Sequence, residues 1–181
     1  MADPANSAIL VGRVNNGYVI QVVGRGTARE SVAVARFVTE ALESENVPLT
    51  IDLSACDYLD STFLGCLATM SRQYGQGSLT RFTVAASPEK CRKLLAPCRL
   101  DTFLKVTDSP PAIEATMLML YSSDLDELEL GRHVMQSHRI LAELGGPHSE
   151  AFAGIANQLQ RELAAKESPR GVSPEPRIPP S

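Results

Sequence analysis

The chain has 181 residues, a formal net charge of −4 and a hydrophobic share of 44%. That is room for one well-buried domain and an appendage, since domains commonly occupy about 100–150 residues, and the mild acidity supplies no basic field for nucleic acid. No apolar run approaches the roughly 18–20 residues that cross a bilayer, and the longest, Ala115 to Tyr121, is interrupted by Thr116. The opening MADPANSAILVGRV lacks the basic segment and apolar core of a secretory signal, so a cytoplasmic location is the expectation.

In chain order, Ala8–Val14 is apolar and β-compatible, Asn15-Asn16-Gly17 is a turn, and Tyr18–Val23 resumes the strand pattern, which predicts a β-hairpin. Gly24-Arg25-Gly26 is expected to end the second strand. Thr27 and Glu30 then form a Thr-x-x-Glu capping box before a helix whose inner stripe is Val34, Phe37, Val38, Ala41 and Leu42. Val47–Leu53 reads as a strand, and Ser54–Leu59, without a clear period, as a loop. A second helix starts at Asp60 or Ser61, carries Leu64, Leu67, Ala68 and Ser71 on one stripe, and ends at Gly75 or Gly77. Leu79–Ala86 is the next strand. Ser87-Pro88 opens a third helix with Cys91, Leu94, Leu95 and Cys98 inward, and Thr102–Val106 is a last short strand.

A hairpin followed by three β–α alternations predicts an α/β fold, a mixed sheet with helices packed on it, over residues 1–122. A short helix is expected over Ala112–Tyr121. Two amphipathic stretches flank Gly145-Gly146-Pro147 and predict a C-terminal helical hairpin over residues 123–166, with Leu130, Val134, Leu141 and Leu144 facing inward on the first and Phe152, Ile155, Leu159 and Leu163 on the second. Such stripes expose too much apolar surface to stand alone, so the hairpin should cover the domain or join two copies as a homodimer. The Pro-rich stretch 167–181 has little apolar mass and reads as a disordered tail.

Cys56, Cys66, Cys91 and Cys98 form no metal or redox couplet and read as reduced packing thiols. His133 and His138 are five residues apart, hence about 140° apart on a helix, unlike the neighbouring pair of a metal site. No metal and no cofactor is expected.

Between the third strand and the second helix stands Asp57-Tyr58-Leu59-Asp60-Ser61-Thr62-Phe63-Leu64-Gly65. This segment resembles the Asp-Ser-x-x-Leu-Gly signature of STAS domains, the family of anti-sigma factor antagonists, and Ile51-Asp52-Leu53-Ser54 matches the strand leading into it. The resemblance covers roughly residues 8–120. It implies a phosphorylation-switched protein-binding regulator: unphosphorylated, it binds an anti-sigma factor that is itself a serine kinase, and phosphorylation ends the binding until a phosphatase reverses it. Carried over by position, Ser61 is the phosphoacceptor with Thr62 the nearest alternative, Asp60 its acidic neighbour, and Leu64 and Gly65 position the helix. The expected partner-binding set is Asp57, Asp60, Ser61, Thr62, Phe63, Leu64 and Gly65. The same family also implies a second reading, a non-switching accessory subunit of a lipid-transport ATPase or a scaffold of a signalling assembly.

A helix N-terminus accommodates a phosphate through its free N–H groups and dipole. The plainer reading is that Asp60 or Ser61 only caps the helix. Where many members carry an acidic turn after the second strand, this chain has Gly24-Arg25-Gly26-Thr27, and Phe63, at a position where a small residue is common, is either a contact anchor or a core residue. A hydrolase elbow is not expected, because Leu59 and Phe63 stand at the glycine positions of Gly-x-Ser-x-Gly and no histidine lies in the first 132 residues. Asp52, Asp57 and Asp60 read as caps and loop residues rather than a magnesium site, and the protein is not expected to be an enzyme.

Overall fold

The computed structural model describes residues 7–75, 80–113, 116–121 and 125–167. Strands β1 (Ala8–Val14) and β2 (Gly17–Gly26) form the predicted antiparallel hairpin, closed by Asn15-Asn16 between the paired Val14 and Gly17. Helix α1 (Ala28–Ser44) follows, and its capping box is present: the Glu30 carboxylate accepts the Thr27 N–H at 3.0 Å. β3 (Leu49–Asp52) pairs parallel with β2, and β5 (Phe82–Ala85) parallel with β3. Among the described residues the sheet order is β6-β5-β3-β2-β1-β7, with β4 (Cys56–Leu59), β6 (Val106–Thr107) and β7 (Leu118–Met119) as short members.

Four sequence expectations change. Gly24-Arg25-Gly26 does not end β2: Gly24 takes φ +67°, the left-handed region that suits glycine, and the register shifts there. The strand then continues and exchanges its partner β3 for β4. The supposed loop 54–59 therefore contains a strand, whose residues run buried, exposed, exposed, buried and so carry no two-residue period to read. The stretch expected as strand 102–106 is instead a helical turn, α4 (Leu100–Phe103), entered through Arg99 at φ 59°, with β6 displaced to Val106–Thr107. Within the expected helix 112–121, Leu118 and Met119 pair with Val11 and Leu10 as β7, while Glu114 and Ala115 lie outside the described residues. Apolar runs this short fit a strand as well as a helix, and the open edge of β1 decides between them.

The third helix starts as expected, with Ser87 capping and Pro88 in the first turn, as α3 (Pro88–Lys90). It loosens into a π turn, Cys91–Leu95, and a 3-10 turn, Ala96–Cys98, where Pro97 has no N–H to continue the α ladder. The core gathers Ile20, Val22, Ile51 and Val84 from the central strands with Val34, Val38, Phe63 and Leu67 from the first two helices, all fully buried.

Helices α5 (Glu127–Glu143) and α6 (Ser149–Glu167) run antiparallel, joined side to side by Arg132–Glu167, Lys166–Glu127 at 3.1 Å and Arg139–Gln160 at 3.0 Å. These exposed pairs contribute at most about 1 kcal/mol each. The larger contribution is apolar, because Ile140 and Leu141 of α5 are buried within the same cluster as the sheet and helix core. Of the two alternatives for the hairpin, this one is realised: it covers the domain. The expected boundary at 122–123 and all but the first residue of the tail 167–181 lie outside the described residues.

Candidate functional site at the start of the second helix

Helix α2 (Ser61–Tyr74) begins immediately after β4, and its first turn is organised by Asp60. One carboxylate oxygen accepts the Phe63 N–H at 2.8 Å, capping α2; the other accepts the Ala28 N–H at 2.8 Å, at the first turn of α1. The Asp60 N–H donates to the Gly26 carbonyl at 3.0 Å. The Asp60 side chain thus satisfies free donors of two helices, and its backbone N–H ties them to the end of β2. Asp60 is the cap, and both of its oxygens are committed inside the domain.

That division leaves the Ser61 hydroxyl, half-buried at the first helical position, outside the capping arrangement. It lies 2.9 Å from Nε2 of His138, a buried residue of α5. Nδ1 of His138 is 2.8 Å from the Val134 carbonyl, which can only accept, so Nδ1 carries the proton. Nε2 of the neutral ring is then the acceptor and Ser61 the donor. Phe152 of α6 packs behind the imidazole at a ring-centroid distance of 5.7 Å. A second serine–histidine pair lies one helix away, Ser31 of α1 with Nε2 of His133 at 2.8 Å. Burial holds His133 below its ordinary pKa, against the pull of the Asp60 and Glu129 carboxylates in the other direction. The angular separation that makes these histidines poor joint ligands lets one reach α1 and the other α2.

Below Ser61 the two helices meet backbone to backbone. A Cβ on Gly65 would lie 2.6 Å from the Cα of Ser137. Arg72 pairs with Glu143 at 2.6 Å and Arg36 with Glu129, bracketing the contact from α2 and α1.

The remaining sequence-predicted residues divide clearly. Asp57 is exposed and pairs with Lys90 at 3.4 Å; beside it the Arg25 guanidinium stacks on the exposed Tyr58 ring at 4.0 Å. Thr62, Leu64 and Gly65 are buried, and Phe63 is fully buried against Gly26 and Leu59. Phe63 is therefore a core residue, not a surface anchor, in this arrangement. Asp52 accepts from Gln21 and Ser54 and does not meet Asp57 or Asp60. No group of three or more metal-ligating side chains occurs among the described residues.

Sequence reasoning missed His138. It is 77 positions from Ser61, and no local spacing announces the pairing. The argument that no histidine was at hand for Ser61 is overturned by the packing of α5. The pair still differs from a hydrolytic triad, because the third group is the neutral Val134 carbonyl rather than a carboxylate that would stabilise an imidazolium. All four cysteines are free; burial pushes the Cys56 thiol up to about 11 and the Cys66 thiol up to about 12, so both are packing groups.

The element order and the Asp-Ser helix start define a STAS-type domain. A family profile described as "Mlab, STAS domain" matches residues 9–107, and the chain belongs to the STAS domain family. Among solved structures, an anti-sigma factor antagonist from Mycobacterium paratuberculosis is similar at 24% identity and a TM-score of 0.49, over 60% of this chain and 92% of that one. An uncharacterised protein with a SpoIIAA-like fold from Shewanella loihica is similar at 17% identity and a TM-score of 0.41, over the same shares, 60% and 92%. No curated protein sequence matches the chain. Among the described residues no helix is long and apolar enough to cross a membrane.

Proposed function

We propose that this STAS domain is a protein-binding regulator of the anti-sigma factor antagonist type, with Ser61 as its phosphorylation switch and no catalytic activity of its own. One observation carries the reading: Asp60 does the capping at the start of α2, so the Ser61 hydroxyl is spared for another role at a helix N-terminus. Phosphate there would add a charge of about −1.5 to −2 beside Asp60, changing recognition while the helix dipole tolerates the group. Thr62, the alternative acceptor, is buried. On β4, which leads into the position, the exposed Asp57 and Tyr58 with their half-buried partners Lys90 and Arg25 present mixed charge and an aromatic ring, a surface suited to a protein partner. That partner is an anti-sigma factor with serine kinase activity, opposed by a phosphatase.

The second reading, an accessory subunit of a lipid-transport ATPase or a scaffold component, is favoured by a different observation: the Ser61 hydroxyl is already engaged by His138, as an idle serine would be. Capture from a lysate of the native host separates the two. Bait carrying Ser61→Ala should retain a GHKL-type kinase, and bait carrying Ser61→Glu should bind it at least ~10-fold more weakly, equivalent to ~1.4 kcal/mol. Equal recovery of a transporter ATPase on both baits, with no kinase, would establish the accessory role instead.

A further inference from the structure

We infer that the outer edge of β7 is the interface of a homodimer, in which β7 of one copy pairs antiparallel with β7 of a second copy about a two-fold axis. The inference does not depend on Ser61. β1 and β7 lie on one side of β2, with β3 and β4 on the other, so the surface of β4 stays open in such a dimer.

The edge is both unsatisfied and apolar. Leu118 and Met119 pair with Val11 and Leu10, and the Leu120 N–H donates to the Ile9 carbonyl at 2.8 Å. Backbone groups along an antiparallel strand face alternate sides, so the N–H and C=O of Met119 point away from β1, and the same alternation turns those of Tyr121 outward. The side chains of Leu118, 66% exposed, and Met119, 49% exposed, project to opposite faces of the sheet, with Tyr121, 75% exposed, just beyond. Together with Ile113 they are four of the six large hydrophobic side chains exposed among the described residues. A concentration of this kind marks an interaction surface, whereas scattered apolar residues do not.

The chemistry of the edge selects a second copy as the occupant. Residues 115–123 contain no charge and no proline, so two such edges meet without like-charge repulsion and every residue has an N–H to give. The opposite edge of the sheet among the described residues, β6, is guarded by both devices: Lys105 and Asp108 flank it, and Pro110-Pro111 follows. Each copy therefore offers one competent edge, and pairing of like edges about a two-fold axis closes at two copies instead of continuing as a fibre. The chain's own ends are poor substitutes. Residues 168–181 carry five prolines and residues 1–6 carry one, each lacking the N–H that edge pairing uses.

Sedimentation equilibrium of the full chain from about 1 to about 100 μM, a range that resolves micromolar dissociation constants, tests the interface. The mass should rise from 19.5 kDa toward twice that value. Leu118→Lys sets like charges across the edge, and Met119→Pro removes an N–H that β1 does not use, so each should raise the dissociation constant at least about tenfold. Far-UV circular dichroism of both variants should match the unsubstituted chain, because the two side chains are exposed and stand outside the core. A chain that stays at 19.5 kDa at about 100 μM overturns the inference. So does a dimer unaffected by a folded Met119→Pro variant, whether or not Leu118→Lys disrupts it, because the contact is then not strand pairing. Should Met119→Pro perturb the dichroism, hydrogen exchange on the unsubstituted chain decides: the Met119 and Tyr121 amides should exchange more slowly at about 100 μM than at about 1 μM, and exchange independent of concentration overturns the edge pairing.

Discussion

Phe63→Ala is expected to lower the unfolding free energy by about 3–5 kcal/mol, the usual cost of emptying a buried aromatic site. The ring is fully buried and sits against Gly26 and Leu59, where β2 and β4 end and α2 begins. None of these neighbours can collapse into the space: Gly26 has no side chain, and Leu59 is held by the strand pairing of Gly26 with it. Against a typical total of about 5–15 kcal/mol, such a loss brings the domain close to unfolding. Urea denaturation measures it directly. A change below about 1 kcal/mol, together with weakened partner binding, would restore Phe63 as a surface anchor and contradict the packing described here.

Gly65→Ala should be nearly as damaging for a substitution of one methyl group. The added carbon would meet the carbonyl carbon and Cα of Ser137 at 2.6 Å, where ordinary contacts lie at 3.4–4 Å. The obstacle is helix backbone, which cannot rotate aside as a flexible side chain can. Either α5 retreats as a body or the hairpin separates, and overpacking of this kind costs about 1–3 kcal/mol. Gly154→Ala is the control: it lies in α6 with nothing within 4 Å of the added carbon, so it should stabilise by roughly 0.5–1 kcal/mol through helix propensity alone. Thermal melts of both variants test the contrast. Equal melting temperatures for the two would show that α5 does not press on α2 in solution.

How much of this was legible in the sequence depends on the range of the interaction. The hairpin of β1 and β2, the Thr27–Glu30 capping box and the apolar stripes of α1 and α2 are set by neighbours within a few residues, and each appeared where its pattern placed it. β4 did not, because its only signal is pairing with Gly24–Gly26, some thirty residues earlier in the chain. The same holds for β7, whose two residues become a strand only because β1 offers an edge. At the site, the Asp60-Ser61 pair was readable from its resemblance to the family signature, but its division of labour was not. Only the position of Ala28 shows why both Asp60 oxygens are taken, and only the docking of α5 shows what the Ser61 hydroxyl faces. Gly65 was visible as a motif residue whose cause lay in the backbone of a helix seventy residues downstream.

The central claim, that Ser61 is the phosphorylated switch of a STAS-type regulator, is tested most directly by mapping phosphate on the protein isolated from its native host. Mass spectrometry of the peptide spanning Asp57 to Arg72 should find the phosphate on Ser61, with Thr62, buried beneath the helix start, unmodified. Phosphate on Thr62 alone would place the switch one residue further along. A peptide unmodified at both residues, under conditions in which the partner is both bound and released, would contradict the account and leave Ser61 as a hydrogen-bond donor that fastens the C-terminal hairpin to the domain.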